Sequence, residues 1–258
     1  MRRLLGPGGC PWDREQTFKT LQKYVLEEAC EVIDAIDSDD RAALCEELGD
    51  LLLQVVFQAE LARAEGGFAI DDVIEGIVNK LVNRHPHVFG TLGVADADEV
   101  LRNWEKIKAQ EKGRRGLLAS VPRSMPALTR AARIGEKVSR VGFDWDDARG
   151  SRAKVAEEIQ ELDRAIAEGD ASAIEDEMGD VFFALVNLSR HLAIDAEGAL
   201  RRASDKFTDR FAHVEKRVRE EHGGWGTAGQ GEEHLPLAVL DGYWEEAKRL
   251  ARSNGTGT

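Results

Sequence analysis

Apolar residues recur at three- and four-residue spacing along most of this 258-residue chain, a period that matches one face of an α-helix. No segment alternates apolar and polar residues over a length typical of a β-strand. The pattern predicts helices over residues 17–36, 41–65, 70–84, 97–112, 126–139, 151–168, 171–194, 197–221 and 235–252. We therefore predict an all-α fold.

Glycine and proline mark the boundaries of the predicted helices. Gly66 and Gly67 end the second helix, and Pro122 and Pro126 mark a central connection. Residues 222–236 are polar and rich in glycine, so we predict a mobile loop there.

The sequence contains an internal repeat. At an offset of 130 residues, Glu27, Glu28, Glu31, Glu47, Gly49 and Asp50 match Glu157, Glu158, Glu161, Glu177, Gly179 and Asp180. At 126, Lys80, Arg84 and His87 match Lys206, Arg210 and His213, and at 140, Trp104 and Lys108 match Trp244 and Lys248. We predict tandem duplicated four-helix modules over residues 1–112 and 126–258, joined by a linker over 113–125.

The repeated acids lie on strongly apolar helices. The helix that contains Glu47 and Asp50 has apolar residues over most of its circumference, which predicts burial nearly all round. Carboxylates three residues apart share one face of a helix, and Glu28 projects at the edge of the apolar face of the preceding helix. Buried carboxylates must protonate, pair with cations or bind a metal.

A metal site is the interpretation that the duplication favours. The candidate ligands are Glu28, Glu31, Glu47 and Asp50 in the first module and Glu158, Glu161, Glu177 and Asp180 in the second. Carboxylate oxygens suit Mg²⁺, and also Mn²⁺, whereas zinc sites usually include histidine or cysteine. The alternative is a solvated acidic helix face, which a single such motif would favour.

Basic and aromatic residues repeat as well. Lys80 and Arg84, like Lys206 and Arg210, stand four apart on one helix face, a spacing that fits either phosphate binding or ordinary ion pairs. The repeated tryptophans fit either base stacking or core packing. His85-Pro86-His87 predicts a turn that ends a helix, because proline restricts the residue before it.

Composition narrows the class of protein. The formal charge of −13 argues against a nucleic-acid partner and predicts that a polyphosphate needs a cation bridge. No apolar run is long enough to span a membrane and no signal-peptide pattern opens the chain. Three scattered cysteines indicate reduced thiols, so we expect a cytoplasmic protein.

Several longer motifs resemble one family. They are GGCPWDREQTF (8–18), EEACE (27–31), EELGD (46–50), RHPHVFG (84–90), NWEKIKAQEK (103–112), VGFDW (141–145), EEIQE (157–161), EDEMGD (175–180) and YWEEAK (243–248). Together they cover nearly the whole chain and resemble the MazG nucleoside triphosphate pyrophosphohydrolases.

The resemblance implies an all-α homodimer that hydrolyses nucleoside triphosphates between the α and β phosphates, with Mg²⁺ and with broad base tolerance. It implies metal ligation and catalysis by Glu158, Glu161, Glu177 and Asp180, and substrate binding by Lys206, Arg210, Trp244 and Lys248. The equivalent first-module substrate residues are Lys80, Arg84, Trp104 and Lys108. Ser204 departs from the asparagine expected two residues before the lysine.

Two alternatives remain on the sequence alone. One is a narrower enzyme that hydrolyses deoxynucleotides or modified nucleotides. The other is a non-catalytic helical dimer that uses the acidic site as a metal-dependent interaction module. The intact duplicated acids favour an enzyme.

Overall fold

The structure, a computed structural model, describes residues 1–97, 99–100, 103–104, 107, 116–225 and 235–255, with side chains up to residue 253. Within these residues it contains helices and no strand, which confirms the predicted all-α class. The chain divides into two compact units, Met1–Gly113 and Arg114–Thr258. The predicted module boundaries and the linker stay predictions.

The first unit is built on a helical hairpin. Its helices are α1 (Arg2–Leu5), α2 (Pro11–Arg14), α3 (Phe18–Asp37), α4 (Arg41–Ala64), α5 (Ile70–Arg84) and α6 (Pro86–Phe89). The long helices α3 and α4 pack against each other, and α5 contacts α4. Leu21 of α3 and Phe57 and Ala59 of α4 are buried in this unit.

The second unit repeats the hairpin and has further helices packed beside it. Its helices are α7 (Ala127–Ser139), α8 (Ala148–Glu168), α9 (Ala171–His191), α10 (Ala196–His222) and α11 (Leu237–Gly255). The α8–α9 pair corresponds to α3–α4, α7 packs on α9 and α10, and α10 packs on α11. Val214, Val218 and Tyr243 form a buried apolar cluster between α10 and α11.

Equivalent turns join the two helices of each hairpin. Asp40 accepts hydrogen bonds from the backbone N–H groups that begin α4, and Asp170 does the same for α9. The preceding residue has a positive φ in both turns, 53° at Asp39 and 74° at Gly169. The internal repeat therefore extends from the helices into the backbone conformation of the turn.

The approach to α8 depends on a glycine. A Cβ placed on Gly150 would lie 2.4 Å from Cδ1 of Trp145, so the indole occupies the space that any side chain at position 150 would need. Asp147 caps the same helix by accepting a hydrogen bond of 2.7 Å from the backbone N–H of Arg149. Together these contacts fix the segment that enters the acidic helix.

Most predicted helix boundaries agree with the structure to within a few residues. His85 ends α5 with a φ of −123°, as the proline after it predicted. The predicted helix 97–112 and the predicted mobile loop 222–236 lie largely outside the described residues. None of the described helices combines the length and the apolar character needed to cross a lipid bilayer.

Candidate metal centres

The first unit brings three of its four predicted ligands into one cluster. Glu28 of α3 and Glu47 and Asp50 of α4 each offer a carboxylate oxygen, and the three oxygens lie within 4.8 Å of one another. Glu31 is exposed and stands outside this set, yet its charge helps to raise the pKa of both Glu28 and Glu47. The cluster therefore concentrates negative charge between α3 and α4.

Partial burial and like charge act together on these acids. Burial raises the pKa of Glu28, and the neighbouring charges of Asp50 and Glu31 raise it further. Burial also raises the pKa of Glu47, followed by the charges of Glu31, Glu46 and Asp50. A site that disfavours several ionised carboxylates gains stability from any cation that neutralises them.

The second unit repeats the cluster at equivalent positions. Oxygens of Glu158 and Glu161 on α8 and Glu177 on α9 lie within 4.8 Å of one another, and Glu158 is buried. Burial raises the pKa of Glu177, and the charges of Glu161, Glu158 and Asp180 add to the effect. Asp180 is exposed, but it acts on the same site electrostatically.

Two basic residues accompany the second cluster, and the sequence analysis missed both. Lys154 Nζ lies 2.7 Å from Glu158 Oε1, and hydrogen bonds to Glu157 and Glu158 raise the pKa of the lysine. Arg164 Nη2 lies 3.1 Å from Glu161 Oε1. Helical spacing of three and four residues from these glutamates was the available signal. Neither residue has a basic equivalent in the first unit, so the internal repeat does not reveal them.

The donor set fits a hard divalent cation. All the converging ligands of both clusters are carboxylate oxygens, which Mg²⁺ and Mn²⁺ prefer, and the mutual repulsion of these acids is relieved by a double positive charge. Neither cluster contains histidine or cysteine, the ligands typical of zinc.

The predicted substrate residues of the second unit lie on two packed helices. Lys206 and Arg210 are on α10, and Trp244 and Lys248 are on α11. The Arg210 guanidinium carbon lies 5.8 Å from the centroid of the Trp244 ring, and the ring of Phe207 lies 4.8 Å from the same tryptophan. Arg210 and Trp244 thus form a cationic and aromatic surface, with Lys206 exposed on the same helix.

Two further side chains on these helices bond locally. Lys248 Nζ lies 2.6 Å from Glu245 Oε1 on the same helix. The Ser204 hydroxyl, at the position where asparagine was expected, donates to the Leu200 carbonyl at 3.0 Å. Ser204 is therefore bonded to its own helix.

The first unit places fewer of the equivalent residues together. Lys80 is exposed on α5, and Arg84 ends that helix. The ring of Trp104 lies 5.8 Å from that of His85, centroid to centroid. Lys108 lies outside the described residues.

The expectation that the Glu47 helix is buried nearly all round is wrong for the single chain. Leu48, Leu52, Leu53 and Val55 of α4 are exposed, and so are their equivalents Met178, Phe182, Phe183 and Leu185 of α9. The sequence places apolar residues around most of α4 and α9, but in the described part of each unit only one side of the helix is covered. The result is an unusual apolar surface at the same place in both units.

Comparisons with known proteins agree with this arrangement. A family model described as MazG nucleotide pyrophosphohydrolase domain matches residues 16–89 and 149–215, segments that each contain one carboxylate cluster. The chain is 45% identical over 250 residues to the Thermotoga maritima protein named nucleoside triphosphate pyrophosphohydrolase/pyrophosphatase MazG, covering 96% of this chain and 92% of that protein.

Two further relatives are named nucleoside triphosphate pyrophosphohydrolase. The Escherichia coli K12 protein is 44% identical over 257 residues, covering 96% of this chain and 94% of the relative. The Mycobacterium tuberculosis protein is 32% identical over 232 residues, covering 89% of this chain and 61% of the relative. The family resemblance and the tandem repeat are confirmed.

Proposed function

We propose that this chain, which belongs to the MazG nucleotide pyrophosphohydrolase family, hydrolyses nucleoside triphosphates to nucleoside monophosphates and pyrophosphate with the help of Mg²⁺. The observation that carries the proposal is the carboxylate cluster between the two helices of each hairpin. The names of the relatives support the reaction, and the all-oxygen donor set supports the metal.

In the second unit, Glu158, Glu161 and Glu177 would hold the cation, with Asp180 next to them. A bound Mg²⁺ supplies charge neutralisation for the phosphates and a water of lowered pKa. The raised pKa of Glu177 makes cation binding favourable, because a cation offsets the repulsion from the neighbouring acids.

Basic residues counter the repulsion between an acidic protein and a triphosphate. Lys206 and Arg210 stand on one face of α10 and would bind phosphate oxygens through charge-assisted hydrogen bonds. Lys154 adds a third positive charge directly at the carboxylate cluster. Trp244 would stack on the nucleobase, and stacking without base-edge hydrogen bonds favours broad base tolerance. Lys248, on the same helix as Trp244, completes the proposed substrate set.

A homodimer is the assembly that we propose. Leu52 and Phe182 are equivalent in the repeat and are 59% and 53% exposed. Large exposed apolar side chains of this kind favour burial against a second copy. We also propose a cytoplasmic location, supported by three cysteines that are free in the structure.

The test is pyrophosphate release from a panel of ribo- and deoxyribonucleoside triphosphates, with and without Mg²⁺. We expect Glu177→Gln to abolish release, because it removes a central carboxylate while the helix remains. Glu175→Gln is the matched control on the same helix, and it should retain activity. Full activity of Glu177→Gln would overturn the assignment of the second unit, and turnover unaffected by removal of divalent cations would overturn the metal requirement.

A further inference from the structure

The two carboxylate clusters differ in the charges that surround them. At the repeat offset of 130 residues, Tyr24 stands where the second unit has Lys154, and Asp34 stands where it has Arg164. The basic residues of the second unit pair with the cluster, as described above. The second cluster is therefore partly neutralised by the protein itself.

The first cluster has no such partners among the described residues. None of the lysines or arginines described there forms an ion pair with the acids at positions 28, 31, 47 and 50. Lys23 is close in sequence, but its ammonium lies 4.5 Å from the centroid of the Tyr24 ring. The four acids and the residues at positions 24 and 34 together have a formal charge of −5. The six equivalent residues of the second unit have a formal charge of −2.

A buried amide provides the second difference. Gln54 of α4 is only 7% exposed, and its Nε2 donates a hydrogen bond of 3.3 Å to Glu28 Oε1. Its Oε1 is buried and lacks a hydrogen-bond partner among the described residues. The repeat equivalent is Ala184, which has no polar side-chain atom.

A buried carbonyl oxygen without a partner is costly, and this one belongs to the amide group that contacts Glu28, which indicates a ligand beside the cluster. A hard cation, or a water bound to that cation, satisfies both the amide oxygen and the unneutralised carboxylates. Negative charge in excess strengthens the attraction for a divalent cation and weakens that for a triphosphate.

We propose that the first unit contains a divalent-cation site that fills without nucleotide, with Gln54 Oε1 contributing an oxygen to the coordination shell. The second cluster binds a cation tightly only when a substrate phosphate draws Lys154 and Arg164 away from Glu158 and Glu161. This second half rests on the proposed function. The first unit thus has a permanent metal site, and the second unit has a metal site that depends on substrate.

Mn²⁺ binding to the full chain without nucleotide tests the proposal. Electron paramagnetic resonance measures free Mn²⁺ during the titration. We expect the tightest site to be lost in Glu47→Gln and to be retained in Glu177→Gln. Loss of that site in Glu177→Gln, or equal affinity of the two clusters, would overturn the proposal.

Exchanging the residues at positions 24 and 34 with those at positions 154 and 164 tests the effect of the surrounding charges directly. The double variant Tyr24→Lys/Asp34→Arg should weaken the tight Mn²⁺ site by about tenfold or more, because it introduces two positive charges. The reciprocal variant Lys154→Tyr/Arg164→Asp should create a second tight site. If the first double variant unfolds by circular dichroism, the reciprocal variant decides, and unchanged Mn²⁺ binding there contradicts the proposal.

Gln54 is tested separately. Gln54→Leu should weaken the tight site several-fold, and Gln54→Glu, which keeps an oxygen at this position, should retain it. Unchanged Mn²⁺ binding in Gln54→Leu would show that the Gln54 amide is not a ligand of the cation. Pyrophosphate release by the same wild-type preparation separates the two proposals: Mn²⁺ binding in this pattern without turnover overturns only the proposed function, and turnover with the opposite pattern overturns only the cation site.

Discussion

Arg190 Nη2 lies 2.5 Å from Asp144 Oδ1, an ion pair that ties the segment before α8 to the last turn of α9. His191 Nε2 lies 3.0 Å from the same oxygen, and Asn187 accepts a hydrogen bond of 3.0 Å from Arg190 Nε. The side chains of the ion pair are only 18% and 20% exposed, so solvent screens the pair less than a surface pair. These contacts fix the approach to the helix that contributes Glu158.

We expect Asp144→Asn to destabilise the second unit by about 1 to 2 kcal/mol at neutral pH, because a charge-assisted hydrogen bond is lost. The hydrogen bond from Arg190 holds the pKa of Asp144 below its usual range. The stabilisation is therefore present above the unfolded pKa of about 4 and is lost as the pH falls through the lower folded pKa. Urea unfolding at neutral and at acid pH measures the difference, which should shrink in acid. A difference independent of pH would assign the effect to packing.

Lys154→Met should lower kcat/KM for triphosphate hydrolysis by about tenfold or more, because the acidic site loses a positive charge that offsets its repulsion of phosphate. Lys216→Met is the control, since this exposed lysine lies on α10 and forms a loose ion pair with Glu220 at 3.9 Å. Steady-state kinetics at saturating Mg²⁺ make the comparison. Equal loss in both variants would point to net charge and not to the position of Lys154.

Mg²⁺ should raise the Tm of the chain at neutral pH, and this gain should disappear as the pH falls toward about 4. The pKa of Glu28 is raised, so without metal this acid destabilises the fold above its folded pKa and ceases to do so as it protonates. Protonation also removes the ligands. Thermal unfolding with Mg²⁺ or with a chelator, across this pH range, tests the expectation. A Tm gain that persists undiminished at acid pH would place the bound cation elsewhere.

Arg210→Lys should lower kcat/KM by about tenfold or more even though the charge is retained. A lysine keeps the positive charge but loses the planar, bidentate contact with phosphate and the guanidinium packing on Trp244. Arg219→Lys, at an exposed position of the same helix, should leave the kinetics unchanged. Wild-type kinetics in Arg210→Lys would show that a point charge suffices.

The double variant Leu52→Glu/Phe182→Glu should convert the proposed dimer into a monomer, because it places charge in the exposed apolar faces of α4 and α9. Val141→Glu changes an equally apolar and exposed residue outside these faces and should leave the assembly intact. Light scattering coupled to gel filtration reports the mass. A wild-type monomer, or a dimer that tolerates the double variant, contradicts the assembly that we propose.

Sequence periodicity was sufficient for the helices and for the carboxylate clusters, because both follow from spacing within one helix or from repetition. The repeat alone predicts Glu28, Glu47 and Asp50 as candidate ligands, and the structure places their carboxylates together. Covered and exposed apolar positions could not be distinguished in this way. Leu52 and Phe182 are residue types typical of a core, yet both are exposed in the described part of the chain.

An internal repeat reveals only the residues that two modules share. Lys154 and Gln54 each contact a cluster glutamate, but their repeat equivalents are Tyr24 and Ala184. The three-dimensional contacts identify them as part of the sites. The differences between the units are therefore visible in the structure and not in the motifs.

Gly150 limits which residues the second unit can tolerate at this position, although it lies outside the carboxylate cluster. Because the indole of Trp145 fills the volume of its missing side chain, even an alanine there would push the tryptophan outward. Asp144, adjacent in the chain, would lose its alignment with Arg190. The packing of a neighbouring tryptophan, and not any contact with the carboxylates, therefore makes glycine necessary at position 150.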